Sequence, residues 1–520
     1  MKDNLKKLIA INTIANYGLT ISRFITQIIL TRILFLNLGA VAYGFWALLW
    51  SIFGYSLLLD FGFGTSVQKY SAEVTVTGDY DKYNHQISTV ITSYAIMSTL
   101  IIVATLVMSQ FLTKLFIFPD GTDVIYFKKV FIFFGLGTAL TFPSGAFTEI
   151  LRGVGKIYLR NLVNFITLIL NFVGIIIIFK LGYGLLELAV FSVIINLINN
   201  LSMASFCFKL LPKMRIMPKY FELGMLKEVV SFSIFAYLIM FANIIIFKTD
   251  QIVLGVMLGV TAVAIYQVAS RSANVLLQFT HQFQETLTPV AAALHQDGQH
   301  DRLRRILFNS NRIIALISTL LFIILTSLIK PVLLIWLEID PSNPQFADTY
   351  QDTIHIAYLM NISIYLLLVF RSGSSKVLLM TGSHKFLSYV AIAESIMNVG
   401  FSILFIKLIG VVGVAIGTLI PNVILGIFVI FPKAARYSQI SIKETIARIY
   451  LPLVFVCIPP LLFVSYFNYI TPLAKWNFIT LVLVSILMAV LYLIPAWFLM
   501  LSSEERKLAL NRINKFSHRK

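Results

Sequence analysis

Apolar residues fill this chain in blocks of about 20, separated by short polar clusters, from one end to the other. A helix of about 20 residues crosses the roughly 30 Å of hydrocarbon in a bilayer. The blocks predict 14 spans. Six lie near 9–30, 43–64, 87–112, 124–150, 157–179 and 185–208, and six near 229–247, 260–280, 306–328, 353–380, 386–406 and 411–431. Two more lie near 449–467 and 476–500. The roughly 10-residue segments of alternating polarity that build a spanning β-barrel are absent from the pattern. The expected fold class is therefore an all-α polytopic membrane protein.

The pattern also repeats. Phe142, Ser144 and Gly145 recur as Phe370, Ser372 and Gly373. Gly155, Asn171 and Lys180 recur as Gly382, Asn398 and Lys407 at a constant offset of 227. Near the two beginnings, Leu5-Lys6 matches Leu226-Lys227, and Leu38-Gly39 matches Leu258-Gly259. Apolar matches come cheaply in such a chain, whereas a glycine, an asparagine and a lysine in one register come less cheaply. The repeat predicts a first six-helix lobe at 1–208, a linker at 209–227 and a second lobe at 228–435. Two additional helices at 436–501 and a basic tail at 502–520 follow. An even number of spans per lobe relates the lobes by an axis along the membrane normal, with a central cavity between them.

Composition agrees with the pattern and adds an orientation. Of the 520 residues, 58% are hydrophobic and 12% charged, at a mean hydropathy of +0.87. The net charge of +18 suggests nucleic acid until the charges are placed on loops. With the N-terminus inside, 30 of the 41 Lys and Arg fall on the inner face and 9 on the outer. The positive-inside rule then puts both termini in the cytoplasm and accounts for the charge without nucleic acid. The first apolar run follows Lys2, Lys6 and Lys7 and is long enough to stay as a span. The segment 330–352 is expected outside and 209–227 inside, and the basic tail reads as a helix on the anionic inner leaflet. Both cysteines fall in apolar segments.

No catalytic or energy-coupling motif stands out. Gly153-Val154-Gly155-Lys156 resembles part of a phosphate loop but lacks its outer Gly and Ser/Thr, and the seven histidines show no metal-ligand spacing. No enzyme activity, metal or cofactor is therefore expected. Ionisable residues inside spans are costly and mark function. Arg23 and Arg271 lie deep in spans away from acids, Glu394 near the middle of a span, and Arg371 toward a span's inner end. These four are the candidate substrate-binding residues, since guanidinium pairs bidentately with phosphate and stays charged. The pyrophosphate of a polyprenyl-linked sugar fits such a site. Glu394 stands where the repeat places Thr167, so the two halves are chemically unlike. Arg32, at the end of the first span, and Asp250, at the end of the seventh, form a candidate outer gate beside Lys248.

Several motifs resemble those of the bacterial oligosaccharide flippases, the polysaccharide-transporter branch of the multidrug/oligosaccharidyl-lipid/polysaccharide exporter superfamily. They are Leu59-Asp60-Phe61-Gly62-Phe63-Gly64 with Lys69, Leu151-Arg152-Gly153, Thr249-Asp250-Gln251 with Leu258-Gly259 and Ala264-Ile265-Tyr266, and Gly410–Gly417 with Thr418. The resemblance implies 12 core helices in two bundles plus two more, a V-shaped cavity and alternating access. It implies that an undecaprenyl-diphosphate-linked glycan moves from the cytoplasmic to the outer leaflet of the bacterial inner membrane, for O-antigen-like or other surface polysaccharide. Partners would be that glycan lipid, membrane lipids and other polysaccharide-assembly proteins, with Na+ or H+ as a possible coupling cation. A lipid II flippase, a cation-coupled multidrug antiporter and a non-transporting assembly scaffold are the alternatives. The first span holds Arg23 and no acid, which argues against cationic drugs.

Overall fold

The computed structural model describes residues 2–296, 300–338, 344–380, 382–437, 441–501, 503 and 505–507. Most of the basic tail expected at 502–520, and residues 339–343 of the expected outer loop, lie outside the described residues. The described residues are mostly helical, with no strand among them, and form two compact units, residues 1–267 and 268–520.

The first unit holds α1 (Lys2–Ile52), α2 (Phe63–Thr77), α3 (Tyr80–Gln110), α4 (Leu112–Leu115), α5 (Val124–Thr141), α6 (Gly145–Gly153), α7 (Ile157–Lys180), α8 (Leu185–Leu210) and α9 (Leu223–Met257). It ends inside α10 (Val260–Gln296). The second unit takes the rest of α10, then α11 (His300–Ser327), α12 (Ile329–Leu337), α13 (Pro344–Leu366), α14 (Gly373–Met380), α15 (His384–Ile409) and α16 (Val412–Leu425). It closes with α17 (Phe431–Tyr437), α18 (Ile442–Thr445), α19 (Leu451–Ile470) and α20 (Phe478–Leu499).

Twelve helices among the described residues are long and apolar enough to cross a membrane, so the protein is a multi-pass membrane protein. The sequence count of 14 differs for two reasons. Gly18–Asp60 is counted as one candidate of 43 residues, yet it contains Gly39 at φ +73°, which breaks α1 between two expected spans. The span expected at 260–280 lies in α10, which is not among the twelve.

Local chemistry explains the helix ends. Asp79, Asp123 and Asn477 cap α3, α5 and α20 by accepting from Lys82 N (3.1 Å), Tyr126 N (3.1 Å) and Thr480 N (2.8 Å). The repeat is visible in the backbone: Gly155 and Gly382, matched by offset, both adopt left-handed φ (+74° and +80°) at the turns before α7 and α15. In the first unit a core of Phe63, Val67, Tyr83, Ile87, Ile150, Leu151 and Met203 ties α2, α3, α6 and α8 together. In the second, Met488, Tyr492, Val456 and Leu453 bring α19 and α20 against α11, where Tyr492 OH donates to Leu316 O at 2.9 Å.

Candidate functional site

The Leu59–Gly64 motif forms an elbow. A 3-10 segment at Phe53–Asp60 runs into Phe61 and Gly62, both left-handed at φ 46° and 81°, and α2 then starts. A non-glycine residue in that region is uncommon. Asp60 holds the elbow by accepting from Gly64 N (3.2 Å) and from the Tyr94 hydroxyl on α3. A Cβ at Gly64 would stand in ordinary contact, 3.4 Å from Glu149 Cγ of α6. Glu149 pairs with Arg152 at 2.9 Å, and a Cβ at Gly153 would lie 2.4 Å from Gln68 O of α2. Asp60, Gly62, Gly64, Arg152 and Gly153 thus build one joint between α2, α3 and α6. Lys69 is exposed on α2.

The Thr249-Asp250-Gln251 motif is a second joint, fastening α9 to the end of α1. Gln251 bonds Ser51 and, at 2.5 Å, Gln267; Thr249 bonds Tyr55; and Tyr237 OH donates to Leu58 O at 2.8 Å. Asp250 is 2% exposed and accepts from Tyr266 OH at 2.8 Å. Of the candidate gate residues, Arg32 is half-buried on α1, and the Lys248 side chain passes beside Gly54.

Polar groups also line a seam of α1, α7 and α8. Asn161 Nδ2 donates to Asn16 Oδ1 at 3.2 Å, and Asn199 Nδ2 donates to Asn164 Oδ1 (3.1 Å) and Thr167 Oγ1 (2.7 Å). Asn161 is 2% exposed, yet its Oδ1 has no hydrogen-bond partner, and neither has the buried Nε of Arg160. Arg23, exposed, lies seven residues beyond Asn16. Seven residues are about two helical turns, or roughly 10 Å, so Arg23 shares the face of α1 that meets α7. Of these groups the sequence pointed to Arg23 alone. It missed the amides, whose one signal was asparagine at 161 and 164, on one helix face.

In the second unit, Arg371 and Glu394 come together as an ion pair with side chains 14% and 4% exposed. Arg371 sits in a π-helical turn, Leu367–Ser372. Two further π turns, Gly426–Ile430 and Ile446–Tyr450, adjoin it through a ring trio: Phe370 to Tyr450 at 4.7 Å, Phe370 to Phe431 at 5.8 Å, and Phe431 to Tyr450 at 6.5 Å. Tyr450 OH donates to Val369 O of the first turn at 3.3 Å. π turns recur at functional sites because they re-aim a side chain and free a carbonyl. Around the pair, Glu394 Oε2, Asn398 Oδ1 and Asn422 Oδ1 are buried acceptors without a hydrogen-bond partner. The amide donors are committed, Asn398 to Thr418 Oγ1 (3.0 Å) and Asn422 to Ser363 O (2.7 Å). Arg271 is half-buried on α10, with its Nε also unpartnered. Among the described residues no cluster of three or more His, Cys, Asp or Glu could hold a metal ion.

This architecture is shared with solved transporters. The lipid II flippase MurJ in an inward closed conformation superposes with a TM-score of 0.68 at 16% identity, covering 92% of this chain and 97% of that one. An inward-facing multidrug resistance MATE family transporter of the MOP superfamily gives 0.63 at 17% identity, covering 82% and 98%. A MOP superfamily transporter from Pyrococcus furiosus gives 0.55 at 18% identity, covering 84% and 96%. At such identities the likeness speaks for the fold. No curated protein sequence matches the chain significantly. A family model described as polysaccharide biosynthesis protein matches residues 29–338, more than half of the chain. The chain, with the fold of the MOP superfamily, belongs to the polysaccharide biosynthesis protein family.

Proposed function

We propose that the protein is a flippase that carries a polyprenyl-diphosphate-linked oligosaccharide across the bacterial inner membrane by alternating access, for surface polysaccharide assembly. The observation that carries this reading is the seam of α1, α7 and α8. It offers two guanidinium groups, Arg23 and Arg160, beside the amides of Asn16, Asn161, Asn164 and Asn199, in predominantly apolar helices. Guanidinium groups suit a diphosphate, and amides suit the donor and acceptor hydroxyls of a glycan. From Gly18 to Ile52, α1 carries no carboxylate, which disfavours a cationic cargo. The lipid tail has no need of a polar path, because it can stay in the bilayer while the headgroup crosses. The resemblance of the Leu59–Gly64 element to oligosaccharide flippases supports the same substrate class.

The test is leaflet-resolved translocation of undecaprenyl-diphosphate glycans in proteoliposomes. The native protein should equilibrate the glycan lipid between leaflets. Arg23→Gln combined with Arg271→Gln, and Arg160→Gln alone, should each slow the movement at least roughly tenfold while insertion is unchanged. Faster movement of lipid II than of other glycans would assign the protein to peptidoglycan precursors. Cation-dependent drug efflux without lipid movement would replace the reading with an antiporter. Absence of any transport, with capture of other assembly proteins, would leave a scaffold.

A further inference from the structure

The segment between α8 and α9 is a strap sewn to the side of α3. Asn84 acts as a surrogate backbone, its Nδ2 donating to Lys213 O at 3.3 Å and its Oδ1 accepting from Arg215 N at 2.8 Å. One turn along, Ser88 Oγ donates to Arg215 O at 3.3 Å and accepts from Met217 N at 3.1 Å. Thr89 Oγ1 accepts from Glu222 N at 3.0 Å. His85 Nδ1 lies 2.5 Å from the Glu222 carboxylate, and its ring packs on Tyr220 with centroids 4.7 Å apart. Leu211 and Met214 are buried against the first-unit core, and Ile216 packs beside them.

These contacts fix which side chains point away. Arg215 and Met217 stand at alternate positions, Lys213 precedes them with its Nζ 5.9 Å over the Tyr80 ring, and Lys219 follows in the turn Pro218–Tyr220; all four are exposed. In an extended segment alternate residues share a side, about 6.6 Å apart. Glu222 is engaged by His85, and among the described residues no carboxylate pairs with Lys213, Arg215 or Lys219. Their depth follows from α8. Its exposed apolar side chains run through Ile194, Ile198 and Leu201 to Phe208, and the strap begins three residues later at Leu211. At 1.5 Å per residue that is about 5 Å beyond the apolar belt, the depth of the lipid headgroups. Exposed Met217 and Leu223 suit the same layer.

We propose that the strap is a preorganised binding edge for anionic phospholipid, with Lys213, Arg215 and Lys219 set to meet headgroup phosphates. A loose loop of the same charge would also attract such lipid. Here the ordering of the cations is already made by α3, so binding loses less freedom than it would from a mobile chain. The claim is therefore about the hooks as much as the charges.

Full-length protein in mixed lipid–detergent micelles, with bound lipid counted by native mass spectrometry, tests it using phosphatidylglycerol and phosphatidylcholine as probes. The native chain should retain phosphatidylglycerol preferentially, and salt should weaken the preference. Combining Lys213→Gln, Arg215→Gln and Lys219→Gln should reduce the preference at least roughly tenfold. Combining Asn84→Leu with Ser88→Ala keeps every charge and should still reduce it several-fold. Lys443→Gln with Arg448→Gln, on the other unit, should change nothing. Fast amide exchange at Arg215 and Met217 reports that the hooks are released, and slow exchange in the first-unit core around Ile87, Ile150 and Met203 reports the fold, so a misfolded variant is recognised and replaced by Thr89→Val, for which a several-fold loss is again expected. An unchanged preference in the triple variant overturns the site, and an unchanged preference in the folded hook variants overturns its preorganisation. Displacement of phosphatidylglycerol by equimolar undecaprenyl diphosphate would overturn the choice of lipid and give the edge to the cargo.

Discussion

At the positions of Arg371 and Glu394 the first repeat carries Pro143 and Thr167. The offset thus sets a buried ion pair in the second half against uncharged residues in the first, where Thr167 accepts from Asn199. Buried pairs are weak sources of stability, because desolvation offsets their attraction, whereas a lone buried charge is strongly destabilising. Arg371→Gln alone should lower unfolding stability in detergent by about 3–5 kcal/mol, because Glu394 is left unpaired. Adding Glu394→Thr should recover most of that loss while transport stays impaired. A double variant no more stable than the single would show that the pair itself holds the helices. Glu394 was legible in the sequence as an acid in an apolar span. Its partner was legible only as another charge, because 23 residues and a helix boundary separate the two. Arg160 shows the opposite limit: near a helix start it reads as an ordinary loop charge, and only the folded packing around α7 buries its Nε.

Among elements, α15 and α16 pack with the closest backbone approach that small residues allow. A Cβ at Gly413 would lie 2.3 Å from Phe405 C, and one at Gly417 would lie 2.5 Å from Ser402 N. Glycines four apart on one helix face are a membrane packing device, and here they turn a family motif into geometry. Gly417→Ala should cost about 1–3 kcal/mol by overpacking, read as a lower unfolding midpoint. Gly400→Ala on α15, where nothing lies within 4 Å, should be neutral or slightly stabilising. Equal effects at the two sites would refute the close-packing account. Helix existence was legible because the spans are long and uniformly apolar. Some ends moved by several residues: the cap Asp79 starts α3 at Tyr80, ahead of the apolar edge at 87. The π turns had no sequence signal: they answer to the Phe370–Phe431–Tyr450 packing, which joins residues far apart in the chain.

For the whole molecule, loop charge predicts that a membrane-impermeant thiol reagent added to intact cells labels Ser342→Cys and spares Lys219→Cys. The reverse pattern would invert the assigned orientation. The repeat was legible as two halves joined near residues 209–227, but where the chain is compact was not. Unit one continues through α9 to residue 267, because Gln251, Thr249 and Tyr237 fasten α9 to the end of α1. Those are side-chain bonds to partners about 200 residues away, invisible to periodicity. The first sequence repeat is consequently not a self-sufficient module. Expressed alone as residues 1–222, it would present Ser51, Tyr55 and the Leu58 carbonyl as open valences. A gene split at the strap should therefore give a first fragment that stays poorly folded until α9 is supplied by the second, read as recovery of its helical signal on co-expression.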